Sequence, residues 1–163
     1  MKKNIVFIWL VFFCQALYAQ SAGYLVETEA FQFRGGWFEE KSGLTMGNSM
    51  LRVLGGKHGA ADALTVIDVK EKGQYTVWVR AMDFKEKPGT RLSRLLVDVQ
   101  PMEEAGKHGK EGFAWEKVGV VALDKKHVLL RLKDTRKNFA RVDAVLHTAD
   151  ASYEPNKTEL PQL

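Results

Sequence analysis

Apolar and polar residues alternate with a period of two along most of this chain. The clearest run is residues 73–82, where Tyr75, Val77, Val79 and Ala81 fall on one side and Thr76, Trp78, Arg80 and Met82 on the other. Successive strand side chains point to opposite faces, so this spacing predicts a strand with one face on a core. The same alternation predicts strands over 24–31, 63–69, 94–99, 116–123, 127–134 and 141–148, with a shorter one over 50–53. Turn residues separate them: Lys72-Gly73, Lys87-Pro88-Gly89, the stretch 106–112, and Asp124-Lys125-Lys126. No segment carries three turns of amphipathic helix. Short strands, frequent glycine turns and no helices predict an all-β fold, an antiparallel β-sandwich or jelly roll of about eight strands.

Ahead of the first strand lies a leader. Lys2 and Lys3 precede an apolar core over 5–13, and Leu17-Tyr18-Ala19 ends in the small residue that a signal peptidase requires. That core is far shorter than the roughly 20 residues of a membrane span. The expected organisation is a signal peptide over 1–19, one β-sandwich domain over 20–150, and a tail or linker over 151–163, where Pro155 and Pro161 stand among polar residues. The expected destination is the periplasm or the exterior, with no membrane attachment once the leader is cleaved. Cys14 is the single cysteine and lies in the leader, so the mature domain is expected to hold no disulfide. Bulky Phe12 and Phe13 before it argue against a lipid anchor.

Charge excludes one class of partner. Of the net +4, two charges belong to Lys2 and Lys3 in an acid-free leader, which leaves +2. That is no nucleic-acid footprint. Basic residues do thicken late in the chain, at Lys125, Lys126, Arg131, Lys133, Arg136, Lys137 and Arg141. They read either as the solvated face of a sheet or as attraction to an acidic polymer.

Catalytic signatures are missing. The chain has no glycine-rich phosphate loop, no Gly-x-Ser-x-Gly elbow and no Cys/His metal spacing. His58, His108, His127 and His147 are scattered, whereas metal-ligating histidines come in clusters. No enzymatic activity is expected.

The chemically pointed feature is Glu27 and Glu29. On a strand they face the same way, roughly 6–7 Å apart. Glycosidase carboxylates are separated by about 5–9.5 Å, but they flank the sugar, and two on one strand approach from one side. Oxygen ligation of a hard cation such as Ca²⁺ fits the pair better, with Asp143 on the last strand as the third acid. The alternative is cross-strand pairing of Glu27 or Glu29 with Arg141 or Lys133. Spacing leaves both readings standing.

The ordered motifs Glu27-Thr-Glu-Ala-Phe31, Arg34-Gly-Gly-Trp37, Ala61-Asp-Ala63, Gly73-x-Tyr75-x-Val77-x-Val79-Arg80-Ala81 and Val142-Asp-Ala-Val-Leu146 resemble carbohydrate-binding modules of the family 6 and 35 type. The likeness is closer still to β-sandwich modules attached to secreted FAD-dependent oxidoreductases and polysaccharide-degrading proteins. It implies a structural Ca²⁺ held by Glu27, Glu29 and Asp143, and a glycan bound by loop aromatics and an asparagine. Loop or edge candidates are Trp37, Phe38, Phe84, Trp115, Asn138 and Phe139, of which Trp37 and Trp115 also read as rings that close the core. Sugars stack their C–H faces on flat rings while polar neighbours orient the hydroxyls. Trp78 and Arg80 share one strand face; open, it forms a platform for an acidic sugar or a partner domain, and closed, Trp78 packs and Arg80 needs a buried acid such as Asp83 or Asp98. The resulting expectation is a non-catalytic, exported carbohydrate-binding-like module with a glycan or polysaccharide as partner. A structural domain that packs on a secreted enzyme without binding sugar is the second reading, and a small glycan hydrolase or lyase the third.

Overall fold

The computed structural model describes residues 23–56 and 58–156. The leader, Cys14 and the end of the tail lie outside them. Ten strands build two antiparallel sheets. The larger sheet joins β2 (Phe38–Lys41), β3 (Ser49–Arg52), β10 (Arg141–Thr148), β5 (Gly73–Asp83) and β8 (Gly112–Leu123) in that order, and β1 (Gly23–Glu27) also pairs with β10. The smaller sheet is β4 (Ala63–Asp68), β9 (His127–Asp134), β6 (Ser93–Val97) and β7 (Gln100–Ala105). This is the expected all-β sandwich, with two strands more than the alternation predicted.

The two added strands have weak sequence signals for a physical reason. Both lie at sheet edges, where one side of the ladder faces solvent. In β2 the sequence is Phe-Glu-Glu-Lys, and β7 carries Pro101 and two glutamates. Proline and charge are the residues that edges tolerate and centres do not.

The main core lies between the sheets. Tyr75, Val77, Val79 and Ala81 of β5 meet Leu95 of β6 and Leu130 and Leu132 of β9, with Trp37 closing one side. Burying side chains of this size contributes roughly 1.5–3 kcal/mol each. The alternation left open which face of β5 meets the other sheet; it is the Tyr75, Val77, Val79 and Ala81 face, and Trp78 is packed on the opposite side.

A second cluster covers the outside of the larger sheet. Trp78, Trp115, Ala144 and Leu146 pack under Met46 and Tyr153. β10 is thus buried on both faces, from Val142 through Thr148, and it carries the polar Asp143 and His147 inside. The segment after β10 docks here: Pro155 is buried, and the Asn156 side chain accepts from the Trp115 amide at 3.1 Å and donates to the Trp115 carbonyl at 2.7 Å. Within residues 151–156, Tyr153, Pro155 and Asn156 hold the chain against the sheet, while Ala151, Ser152 and Glu154 are exposed.

β1 stops at Glu27, short of the predicted end, and residues Thr28–Ala30 turn as a 3₁₀ helix. Thr28 causes this. Its buried hydroxyl donates to the Val142 carbonyl at 2.5 Å and accepts from the Leu51 amide at 3.0 Å, which ties the turn to β10 and β3.

Candidate functional site

Two places gather the chemistry. The first lies on the outer face of the larger sheet under loop 42–48. Glu27 ends β1 and Glu29 sits in the 3₁₀ turn, so they do not share a strand face as the alternation predicted. The turn nevertheless swings both carboxylates to one point: a methyl group added at exposed Gly47 would collide with Glu29 Oε1 and Glu27 Oε2 together. Glu29 Oε2 is buried with no hydrogen-bond partner. Burial, then the charges of Glu27 and Asp143, raise the Glu29 carboxyl above the usual carboxylate range, against its own backbone hydrogen bond.

Asp143 lies beside this pair with no exposed surface. Its carboxylate forms an ion pair with Arg80 and accepts from the Met46 amide at 3.2 Å. Arg80 also donates to the Leu44 carbonyl at 3.3 Å, so one guanidinium and one carboxylate fasten loop 42–48 to the sheet. Burial raises the Asp143 carboxyl, and Arg80 opposes the shift. Arg141 pairs with Glu40 at 3.4 Å, not with Glu27 or Glu29. Among the described residues, no three of His, Cys, Asp and Glu form a group fit to hold a metal. The converging oxygens of Glu27 and Glu29 suit a hard cation, while Asp143 is engaged by Arg80.

The second place is the end of the sandwich where loops 53–62, 84–92, 106–111 and 135–140 meet. A cavity of about 580 Å³ opens there, lined by Phe84, Lys85, Glu86, Lys87, Thr90, Arg91 and Glu111. The Arg91 guanidinium lies 3.5 Å above the Phe84 ring centre and 6.0 Å from that of Phe139. Such stacking fixes a guanidinium without consuming its donors. Burial and then the like charge of Arg141 lower the Arg91 pKa, with Glu111 and Asp83 acting against them. The Asn138 amide donates to the Thr90 carbonyl at 3.0 Å and joins the two loops. Phe139 is held at φ +53°, an unusual angle for a bulky residue, with its ring against Gly55, where any Cβ would strike it.

The candidates read from sequence scatter over both places. Phe84 and Asn138 meet at the loop end. Trp37 is buried in the main core and Trp115 under Tyr153, so neither ring is offered to a ligand. Arg80 pairs with Asp143 and not with Asp83, which accepts from Gly89 and Gly109, nor with Asp98, which pairs with Lys125; Phe38 is exposed on edge strand β2 across from Arg52. Arg91, Thr90 and Glu111 were not singled out by sequence. The Lys87-Pro88-Gly89 turn was their one available marker. The late basic run divides as well: Arg131 and Lys133 fall on β9, Arg136 and Lys137 on the loop end.

A scan against protein-family models finds no match, and neither does a search of curated proteins. Solved structures do match. A family 35 carbohydrate-binding module from Clostridium thermocellum superposes with a TM-score of 0.59 at 13% identity, covering 77% of this chain and 98% of that one. The fold is similar to that of this module. The CBM35 from Cellvibrio japonicus Abf62 gives a TM-score of 0.57 at 16% identity, over 77% of this chain and 92% of that module. The Podospora anserina GH26-CBM35 β-(1,4)-mannanase gives 0.61 at 11% identity and covers 82% of this chain, which spans only 29% of the enzyme's length.

Proposed function

We propose that this chain is an exported, non-catalytic carbohydrate-binding module that holds an anionic glycan at its loop end. The observation that carries this reading is Arg91, stacked on Phe84 inside the 580 Å³ cavity. A flat ring that positions a guanidinium offers a sugar an apolar face and its carboxylate or sulfate a charged fork. The loops around it supply further cations at Lys85, Lys87, Lys110 and Arg136, against Glu86 and Glu111. Phe139, 41% exposed, is the ring left open for stacking.

Glu27 and Glu29 would hold a structural Ca²⁺, with Asp143 behind them. The ion would relieve the repulsion of carboxylates gathered at Gly47, and it takes no part in sugar contact.

Titration calorimetry of the domain against polygalacturonate and a neutral polysaccharide such as galactan tests the reading. The expected result is saturable binding to the polyuronate that Arg91→Ala abolishes, with the melting temperature preserved. Equal affinity for the neutral polymer would remove the anionic part of the reading, and a blank glycan array would remove the whole.

A domain that packs on a secreted enzyme is the second reading. Phe33 and Val66, 57% and 41% exposed, favour it as apolar surface on or beside the smaller sheet.

A further inference from the structure

Asp83, the last residue of β5, has no exposed surface. Its two carboxylate oxygens go to two different loops. Oδ1 accepts from the Gly89 amide at 3.0 Å and Oδ2 accepts from the Gly109 amide at 2.8 Å. Both glycines have positive φ, +72° and +73°, conformations that turn their amides inward at little cost to glycine. Loop 84–92 carries Phe84 and Arg91, and loop 106–111 carries Glu111, so Asp83 stands behind both walls of the cavity.

Other ties converge on the same geometry. Glu111 accepts from the Lys85 amide at 3.2 Å across the cavity. His108 Nε2 donates to the Ala81 carbonyl at 3.1 Å while its Nδ1 accepts from the Lys110 amide at 3.1 Å, which fixes loop 106–111 to β5. Asp83 also supports the charge on Arg91 against its burial and against Arg141. Burying a carboxylate is costly unless its lone pairs are used, and here both oxygens are. A carboxylate kept at that cost sets the separation of the two loops.

We propose that Asp83 is the positioning residue of the loop-end site, holding loops 84–92 and 106–111 at the spacing that lets Arg91 and Phe84 meet a ligand. The proposal rests on the glycan reading for what the site binds, and on the two amide bonds for how the site is held. Preorganised loops bind more tightly because less ordering remains to be done on contact.

Asp83→Asn keeps the side-chain shape but turns one acceptor into a donor facing an amide N–H. Amide hydrogen exchange should then quicken at least tenfold in both loops while the sheet amides keep their rates, and affinity for polygalacturonate, measured well below the melting temperature, should fall about tenfold. In the unaltered protein the Gly89 and Gly109 amides should exchange as slowly as sheet amides. That measurement stands even if the variant fails to fold. Fast exchange of either glycine in the unaltered protein, or unchanged affinity in a folded Asp83→Asn, overturns the proposal. A glycan array left blank by the unaltered protein instead overturns the glycan reading, and the exchange rates still decide whether Asp83 braces the loops.

Discussion

The guanidinium of Arg80 on β5 closes on the carboxylate of Asp143, a residue of β10 with no exposed surface. Arg80 and Ala144 are cross-strand partners, so the pair spans the centre of the larger sheet and not its rim. A buried charge left without its partner is strongly destabilising, typically by about 3–5 kcal/mol. Arg80→Met should therefore lower unfolding stability by about that amount, as read from urea denaturation, and should free loop 42–48 to proteolysis. A double variant Arg80→Met/Asp143→Leu should recover much of the loss. Equal losses in single and double variants would show that the loop is held by something other than this pair.

Glu29 and the proposed cation make a linked prediction. A ligand that binds only the folded state stabilises it by mass action, so Ca²⁺ should raise the melting temperature. Glu29→Gln should shrink that shift. In EDTA the same variant should melt no earlier than the parent at pH 7, because it removes a carboxylate whose ionisation the fold opposes. The sign follows from the raised folded pKa: this group's contribution is greatest below its ordinary value of 4.5 and is lost as pH rises through the folded value. Identical melting curves in EDTA and excess Ca²⁺ would dispose of the site.

His147 predicts acid sensitivity of the opposite sign. It lies opposite Tyr24 on β1 and Val77 on β5 and is fully buried. Burial lowers its pKa to about 4 from an ordinary 6.5. The unfolded chain therefore takes up a proton first as pH falls, and the stability present above pH 6.5 is lost between there and about 4. The loss attributable to this one group is of the order of 3 kcal/mol. His147→Leu should flatten stability across that window, measured by urea denaturation at stepped pH. Parallel pH profiles for the two proteins would refute the assignment.

Asn156 and Trp115 predict what the docked segment does. Asn156→Ala deletes both hydrogen bonds to the Trp115 backbone and should cost about 1–2 kcal/mol. Ending the chain at Asp150 should cost more, since it uncovers Trp78 and Trp115, and should bring a red shift in tryptophan emission and binding of a hydrophobic dye. A truncated protein with unchanged emission and stability would show that the segment only rests on the sheet.

What could be read in advance differs from residue to residue. The division of β5 into a Tyr75, Val77, Val79 and Ala81 face and a Thr76, Trp78, Arg80 and Met82 face follows from alternation among neighbouring residues, but which of them meets the other sheet does not. Thr28 defeats the same logic. Nothing local marks it as a strand terminator, yet its hydroxyl bonds to Val142, 114 positions away, and turns the chain before Glu29. Trp37 and Trp115 read either as sugar platforms or as rings that close the core, and both are buried. An aromatic after a glycine pair or near a strand start carries no sign of what another segment will lay over it. Arg91 drew no notice because its partner ring, Phe84, belongs to the same loop only through a turn that folds back on itself.

The sequence by itself determined the all-β class, most of the strands and the presence of paired acids near the first of them, since each depends on spacing within a few residues. Tertiary structure decided that Glu27 and Glu29 meet at Gly47 from different elements, that Asp143 answers to Arg80, and that Phe84, Arg91 and Asn138 share one end of the sandwich. Those arrangements depend on pairing between strands far apart in the chain, and only burial and hydrogen-bond satisfaction across the whole fold select them.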